Sequence, residues 1–353
     1  MMNKKTLQVG LVGFGYAGST FHAPVITNVA NMSLAKVVQR NGASSKEKYP
    51  WVTVVGSVQE LYADDDIDLV VITTPSTNHY ALAKEAIMAG KHVVVEKPFT
   101  TTSSEADELI SLAREKNVVV SVYQNRRWDG DFMTLRQVLD QSLLGRVIEA
   151  EFRWDRFSPV VNPGRWRDGD VQGSGTVYDL GVHFMDQALT LFGLPDTITA
   201  DIRIQREGGI ADDYFDIGLG YADGLKVSLR SSLLIREPGP RYVVHGTEGS
   251  YVKYGVDPQE RALRGGQTPG SPDWGAEPEE QWGKLHAVMG ALELQGRIRT
   301  LPGAYQDFYQ NISDHLLEGA ELAVKPEEAG MAIRMIELAY QSHREGRMIE
   351  VGS

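Results

Sequence analysis

Residues 9–24 read VGLVGFGYAGSTFHAP, and the reading of this stretch decides the fold. An apolar run ends at Gly13, and the spacing Gly13-x-Gly15-x-x-Gly18 follows at once, ahead of a segment that opens as a helix. The first glycine allows a tight turn, the second lets the backbone approach a pyrophosphate, and the third lets helix and strand pack closely. Exposed N–H groups at the start of such a helix favour an anion. Gly13, Phe14, Gly15, Tyr16 and Gly18 are therefore candidate dinucleotide contacts. A glycine loop alone is a weak sign, because such loops also form for conformational reasons. Its weight comes from the chain around it.

Moving outward, LQVGLVG (7–13), LAKVV (34–38), VTVVG (52–56), DLVVITT (68–74), HVVVE (92–96) and VVVSVY (118–123) read as strands. Helical patterns lie between them, most clearly NHYALAKEAIMAGK (78–91) and TSSEADELISLAREKN (102–117). Ser103 or Ser104, ahead of Asp107 and Glu108, is the expected cap of the second helix, which closes on Lys116 and Asn117. Strands and helices alternating at this spacing mean βαβ units and a parallel sheet.

After about residue 145 the pattern changes. VIEAEFRW, TITADIRIQ, YFDIGLGYADGLKVSLRSS, RYVVHG and GSYVKY alternate or are β-branched, and Asp223-Gly224 suits a hairpin turn. These runs follow one another without helices, so their sheet is expected to be largely antiparallel. A long helical pattern, GTVYDLGVHFMDQALTLFG (175–193), interrupts them; residues 257–282 read as a loop, and two helices are expected near 304–318 and 326–344. The expected fold class is α/β: a doubly wound Rossmann domain with a parallel sheet over residues 1–125, then an α+β domain with a large, mostly antiparallel open sheet over 126–353.

Composition narrows the function. The chain has 353 residues, 42% hydrophobic and 23% charged, enough to bury a large core in two domains. A formal net charge of −12 with no long basic run argues against a nucleic-acid partner. There is no cysteine, which excludes disulfides, thiolate chemistry and a cysteine zinc site. MMNKKTLQVGLVG lacks the apolar core and cleavage site of a signal peptide, and no apolar stretch approaches the ~18 residues of a membrane span. The expectation is a soluble cytoplasmic protein with no membrane partner.

The tip of the second strand bears on which dinucleotide is bound. An NAD site usually carries Asp or Glu about 20 residues after the glycine loop, on the ribose 2′-hydroxyl. Here VVQRNGASS offers Gln39, Arg40 and Asn41, with no carboxylate before Glu47. An arginine there can pair with a 2′-phosphate, so Arg40 favours NADP, with NAD as the alternative.

Ligands of a doubly wound sheet sit outside the carboxyl ends of its strands. The fourth strand ends in TTPSTNHY, which makes Thr73, Thr74, Pro75, Asn78 and His79 candidate cofactor contacts. The fifth strand stops at Glu96, Lys97 and Pro98. The proline restricts the lysine backbone toward extended geometry, and a partly desolvated lysine near an oxidised nicotinamide would have its pKa lowered, toward acid–base chemistry. In YDLGVHFMD, Asp179 and His183 stand four apart on an expected helix and so on one face. A carboxylate beside an imidazole fixes its tautomer, as a general base requires. Asp186 would complete a D-x3-H-x2-D set, but a metal hydrolase needs another convergent ligand and an open position. The remaining histidines read as packing or surface residues.

At this point the chain resembles the glucose-fructose oxidoreductase/inositol dehydrogenase/rhizopine catabolism (Gfo/Idh/MocA) family over nearly its whole length. The marks are the glycine loop, TTPSTNHYALAKEAIMAGKHVVVEKP, and the D-x3-H of YDLGVHFMDQALTLFG. SVYQNRRWDGDFMTL, GRWRD and RYVVHGTEGSYVKYGVDPQE are similar to the NADP-dependent scyllo-inositol dehydrogenase branch. The resemblance implies Lys97, Asp179 and His183 as catalytic residues and a cis peptide before Pro98. It also places Glu96, Asn125, Arg126, Arg127, Arg165 and Trp166 near cofactor or substrate, with Arg126 and Arg127 on substrate hydroxyls or in ordinary ion pairs. It implies a polyol or sugar substrate and a homodimer or homotetramer formed through the second-domain sheet. The expected activity is hydride transfer between a secondary alcohol and NADP. The alternative is an NAD(P)-binding sugar sensor without catalysis.

Overall fold

The computed structural model describes residues 6–162, 164 and 166–352. The chain divides into two compact units. The first takes the chain up to Trp128 together with Gln259–Trp274 and Ala304–Met331; the second takes Asp129–Pro258, Gly275–Gly303 and the chain from Ala332. The sequence reading draws one boundary after residue 125, whereas the chain returns twice to the first unit. The returns bring the helices Gln259–Arg264 and Gln306–Glu318, which rest against the glycine-loop segment and the helix after it.

The first unit holds six parallel strands: β1 (Leu7–Val12), β2 (Met32–Val38), β3 (Thr53–Val55), β4 (Leu69–Ile72), β5 (His92–Val95) and β6 (Val120–Val122). Their order is β3-β2-β1-β4-β5-β6, which reverses direction between β1 and β4 and opens a crevice at the carboxyl ends of those two strands. All six strands read from the sequence are present. Helices cover both faces of such a sheet, so its central strands are continuous apolar runs. Val70, Val71 and Ile72 of β4 and Val93, Val94 and Val95 of β5 are fully buried, each contributing about 1.5–3 kcal/mol of apolar burial.

The helix Ser103–Lys116 is capped one residue earlier than the sequence suggests. Thr102 accepts from the Glu105 backbone N–H at 3.2 Å, while the Glu105 carboxylate accepts from the Thr102 N–H at 3.2 Å. Only Thr102 has a glutamate three positions on to return the bond, so the reciprocal box forms there. Asn117 closes the helix in the left-handed region at φ 53°.

The second unit contains nine strands: β7 (Val147–Arg153), β8 (Thr197–Arg203), β9 (Tyr214–Gly220), β10 (Lys226–Ser232), β11 (Tyr242–Gly246), β12 (Gly249–Lys253), β13 (Gly283–Met289), β14 (Leu292–Ile298) and β15 (Ile349–Glu350). The order is β14-β13-β12-β11-β7-β10-β9-β8-β15, antiparallel throughout except where β10 runs parallel to β7. The Asp223-Gly224 turn joins β9 to β10 with Gly224 at φ +90°. The β13–β14 hairpin is absent from the sequence reading. The stretch 257–282, read as loop, contains the helix Gln259–Arg264. The helices Gln306–Glu318 and Pro326–Glu345 fall where the sequence puts them. No helix among the described residues is long and apolar enough to cross a membrane.

Candidate active site

The glycine loop leaves β1 with Gly13 at φ +97°, a conformation that an L side chain rarely adopts. The Thr73 hydroxyl, at the end of β4, donates to the carbonyl oxygens of Val12 at 3.1 Å and Gly13 at 2.9 Å, tying the two strand ends of the crevice together. A Cβ on Gly18 would overlap the Gly13 carbonyl oxygen, so only glycine lets this turn close. Gly15 differs: a Cβ there would meet nothing within 4 Å. The loop is thus packed on its inner side and open at Gly15, which is the space a pyrophosphate needs. Phe14 packs edge-on against Tyr49, and exposed Tyr16 packs against Phe21. After the loop the chain makes a π-helical turn, Gly18–His22, before the short helix Ala23–Ile26.

At the end of β2, Gln39 is bound to the chain that follows it. Its carboxamide donates to Ser44 at 3.0 Å and accepts from the Ser45 N–H at 3.0 Å, holding the start of the helix Ser44–Lys48. Arg40 lies on the exposed bend beside it and makes no ion pair with a described residue.

Three further strand ends complete the crevice edge. After β4, Thr74, Pro75 and the turn Ser76–Asn78 lead into the helix His79–Met88, with the Asn78 N–H donating to the Pro75 carbonyl at 2.9 Å. His79 is buried, its ring nitrogens 2.9 Å from the Thr74 carbonyl and 2.8 Å from the Pro98 carbonyl. It ties the loop after β4 to the loop after β5. Burial pushes its pKa below the ordinary imidazole value, against the pull of those two carbonyls and of Glu96. After β5 come Glu96, half-buried Lys97 and Pro98, and the Lys97–Pro98 peptide is cis.

The Glu96 carboxylate turns inward to His22 Nε2 at 3.0 Å. Burial would raise its pKa, but the hydrogen bond from His22 and the electrostatic pull of His22, Lys97 and His79 hold it below the usual carboxylate range. After β6, Asn125 and Arg126 are buried. Arg126 pairs with Glu260 at 2.7 Å and donates to the Tyr305 hydroxyl at 3.3 Å. Arg127 pairs with Glu328 at 2.8 Å and donates to the Ala323 carbonyl at 2.8 Å. Both guanidinium groups therefore take part in ion pairs within the first unit.

The second unit carries the other candidates. The helix expected over 175–193 is built in two parts, a π-helical turn Val177–Gly181 and an α-helix Val182–Phe192. Asp179 sits on the π-turn and His183, 3% exposed, in the first turn of the α-helix. The four-residue spacing therefore runs from a π-turn into an α-helix and not along a single α-helix. The Asp179 carboxylate faces Arg167 at 3.5 Å and Arg156 at 3.9 Å. Trp166 opens the short turn Trp166–Asp168, with the Arg167 guanidinium 5.4 Å from its ring centre. Arg165 lies outside the described residues. Asp186 is buried, and no group of three or more ligating side chains is present among the described residues.

Sequence reasoning missed His22. Its signal was available only in part: FHAP follows the glycine loop directly, but nothing in the sequence places a histidine against Glu96, 74 residues away.

Known proteins bear on this geometry. Residues 7–124 match the family model described as the oxidoreductase family with NAD-binding Rossmann fold, and residues 136–351 match the C-terminal alpha/beta domain of that family. The chain is 44% identical to the uncharacterized oxidoreductase YdgJ of Escherichia coli (strain K12), over 95% of this chain and 96% of that protein. It is 39% identical to the scyllo-inositol 2-dehydrogenase (NADP(+)) IolW of Bacillus subtilis (strain 168), over 98% of this chain and 96% of the relative. Among solved structures, an oxidoreductase from Bacillus cereus superposes with a TM-score of 0.92 at 36% identity, covering 99% of both chains. With both of its domains matched and its cofactor loop open at Gly15, the chain belongs to the Gfo/Idh/MocA family of oxidoreductases.

Proposed function

We propose that the protein is an NADP-dependent dehydrogenase of a secondary alcohol on a cyclitol or sugar of the scyllo-inositol kind, reversible with the keto form. The observation that carries the reading is Lys97, set at the carboxyl end of β5 in a Rossmann unit whose glycine loop is open at Gly15. The substrate class draws on the similarity to IolW, named as a scyllo-inositol 2-dehydrogenase (NADP(+)).

A bound NADP would supply the hydride acceptor, held by Gly13–Gly18, the Thr73–His79 loop and the cis-Pro98 loop, with Arg40 on the 2′-phosphate. The residues of the chain handle the proton. Lys97 holds the substrate hydroxyl and stabilises the negative charge that develops as its proton leaves. His183 accepts that proton, and Asp179 supports the imidazolium. Proton transfer by a positioned side chain is worth about 10²–10⁴-fold in rate. The protein works as a homodimer or homotetramer formed through the nine-stranded sheet.

Purified protein mixed with NADP⁺ or NAD⁺ and scyllo-inositol, myo-inositol or hexoses, followed by absorbance of the reduced nicotinamide, tests the reading. Turnover of scyllo-inositol with NADP⁺ that is lost in Lys97→Ala and His183→Ala supports it. Binding of NADP without turnover of any polyol would move the assignment to the sensor.

A further inference from the structure

Behind Lys97 lies a buried polar chain that the proposed reaction does not use. His22, fully buried on the π-turn after the glycine loop, has Nδ1 2.6 Å from the Tyr309 hydroxyl and Nε2 3.0 Å from Glu96 Oε1. The His22 ring also lies against Tyr123, with ring centres 4.2 Å apart. Tyr309 comes from the helix Gln306–Glu318 and is fully buried. The segments carrying Tyr123 and Tyr309 thus meet on His22, which bonds the carboxylate whose neighbour in the chain is the candidate catalytic lysine.

The donor order follows from chemistry. In the neutral His22 ring, Nδ1 accepts from the Tyr309 hydroxyl, which keeps its proton because burial pushes its pKa well above the ordinary value. The opposite nitrogen then carries the ring proton and donates to Glu96. Every group has a partner, which is what a buried polar chain needs to hold one geometry. Glu96 bonds His22 from the glycine-loop side and stands next to Lys97 in the chain, and His22, Lys97 and His79 are the titratable groups that hold its pKa below the usual carboxylate range. Tyr309 and Tyr123 add neutral hydroxyls.

We propose that Glu96 is a positioning residue for Lys97: held in place by His22 and Tyr309, its fixed negative charge keeps the lysine as an ammonium and sets the pH at which it titrates. The role matters for function only if Lys97 serves the reaction proposed above, but it is measurable without that reaction. A buried carboxylate beside an ammonium favours the charged lysine and raises its pKa. The anchor is also the segment that follows the pyrophosphate loop, so cofactor and lysine are referenced to the same turn.

The test is the titration of Lys97 in the cofactor-free, full-length protein, read by NMR after ¹³C reductive methylation, with Lys97→Arg identifying the resonance. Glu96→Gln keeps the volume and still offers an oxygen to His22 while removing the charge. The Lys97 midpoint is expected to fall by about one pH unit in that variant. Tyr309→Phe removes one hydroxyl and frees the imidazole, and is expected to move the midpoint the same way by less. An unchanged midpoint in Glu96→Gln overturns the proposal. If that variant does not fold, an unchanged midpoint in Tyr309→Phe overturns it instead. A shifted midpoint in a protein that turns over no polyol would leave this inference standing while the proposed function fell.

Discussion

In the proposed function, Arg40 is the residue on which the choice of dinucleotide turns. Its neighbour Gln39 is tied to Ser44 and Ser45, while the Arg40 guanidinium at the tip of β2 is exposed. A charge-assisted hydrogen bond to a phosphate is worth about 1.5–3 kcal/mol. Arg40→Ala is therefore expected to raise the KM for NADP⁺ by about 10–100-fold and to leave the KM for NAD⁺ within about twofold, as steady-state kinetics with each cofactor will show. Equal losses with both cofactors would assign Arg40 to the fold and not to the 2′-phosphate. For His183, the direction is a fall in kcat of about 10²–10⁴ in His183→Ala, with NADPH binding retained when followed by the fluorescence of the reduced nicotinamide. Loss of binding along with rate would make the histidine a cofactor contact.

At the scale of the element, the two glycines of one loop make opposite predictions. Gly18→Ala places a Cβ on the Gly13 carbonyl and 2.8 Å from the Thr73 hydroxyl; overpacking of this kind costs about 1–3 kcal/mol, and each kcal/mol lowers Tm by about 2–4 °C. Gly15→Ala meets open space in the cofactor-free protein, so its Tm is expected to stay near that of the parent while NADP affinity falls more than about tenfold, since the backbone can no longer approach the pyrophosphate. Thermal melts with and without NADP separate the two. The same loop shows how far sequence reaches. Gly13 and Gly18 were legible because a positive φ and a Cβ overlap leave only glycine there, and Gly15 because the spacing of a pyrophosphate loop asks for it. The strands β1–β6 were legible because burial on both faces demands unbroken apolar runs. His22 was not, because a hydrogen bond across 74 residues depends on how a π-turn aims a side chain. Asp179 and His183 were legible as residue types, whereas the π-helical turn that carries Asp179 was not. The β13–β14 hairpin was missed for a different reason. Its strand KLHAVM follows a Gly- and Pro-rich stretch, and its turn at Gly290 lacks the Asn-Gly or Asp-Gly pair that marks a hairpin.

For the whole molecule, that hairpin bears on assembly. Register pairs Ala287 with Leu294, Leu285 with Gly296 and Met289 with Leu292, so these residues share one face, while Lys284, His286, Gln295 and Arg297 occupy the other. The apolar face is open in the single chain: Leu292 is 67% exposed, Met289 49% and Leu294 42%. Soluble monomers seldom leave such a stripe uncovered, and an apolar strip on an edge hairpin invites a partner. A second copy of the chain is the occupant that the proposed homo-oligomer requires. Wild-type protein is therefore expected to elute at two or four times the mass of one chain in size exclusion with light scattering. Leu292→Glu with Leu294→Glu sets two carboxylates into that face and is expected to shift the mass toward a single chain. The mutated side chains are solvent-exposed and outside the core, so the variant should melt cooperatively, and far-UV circular dichroism will separate dissociation from unfolding. A wild-type protein that is monomeric at micromolar concentration, or a double variant that keeps the wild-type mass, would remove this face from the assembly and leave the stripe to a partner of another kind.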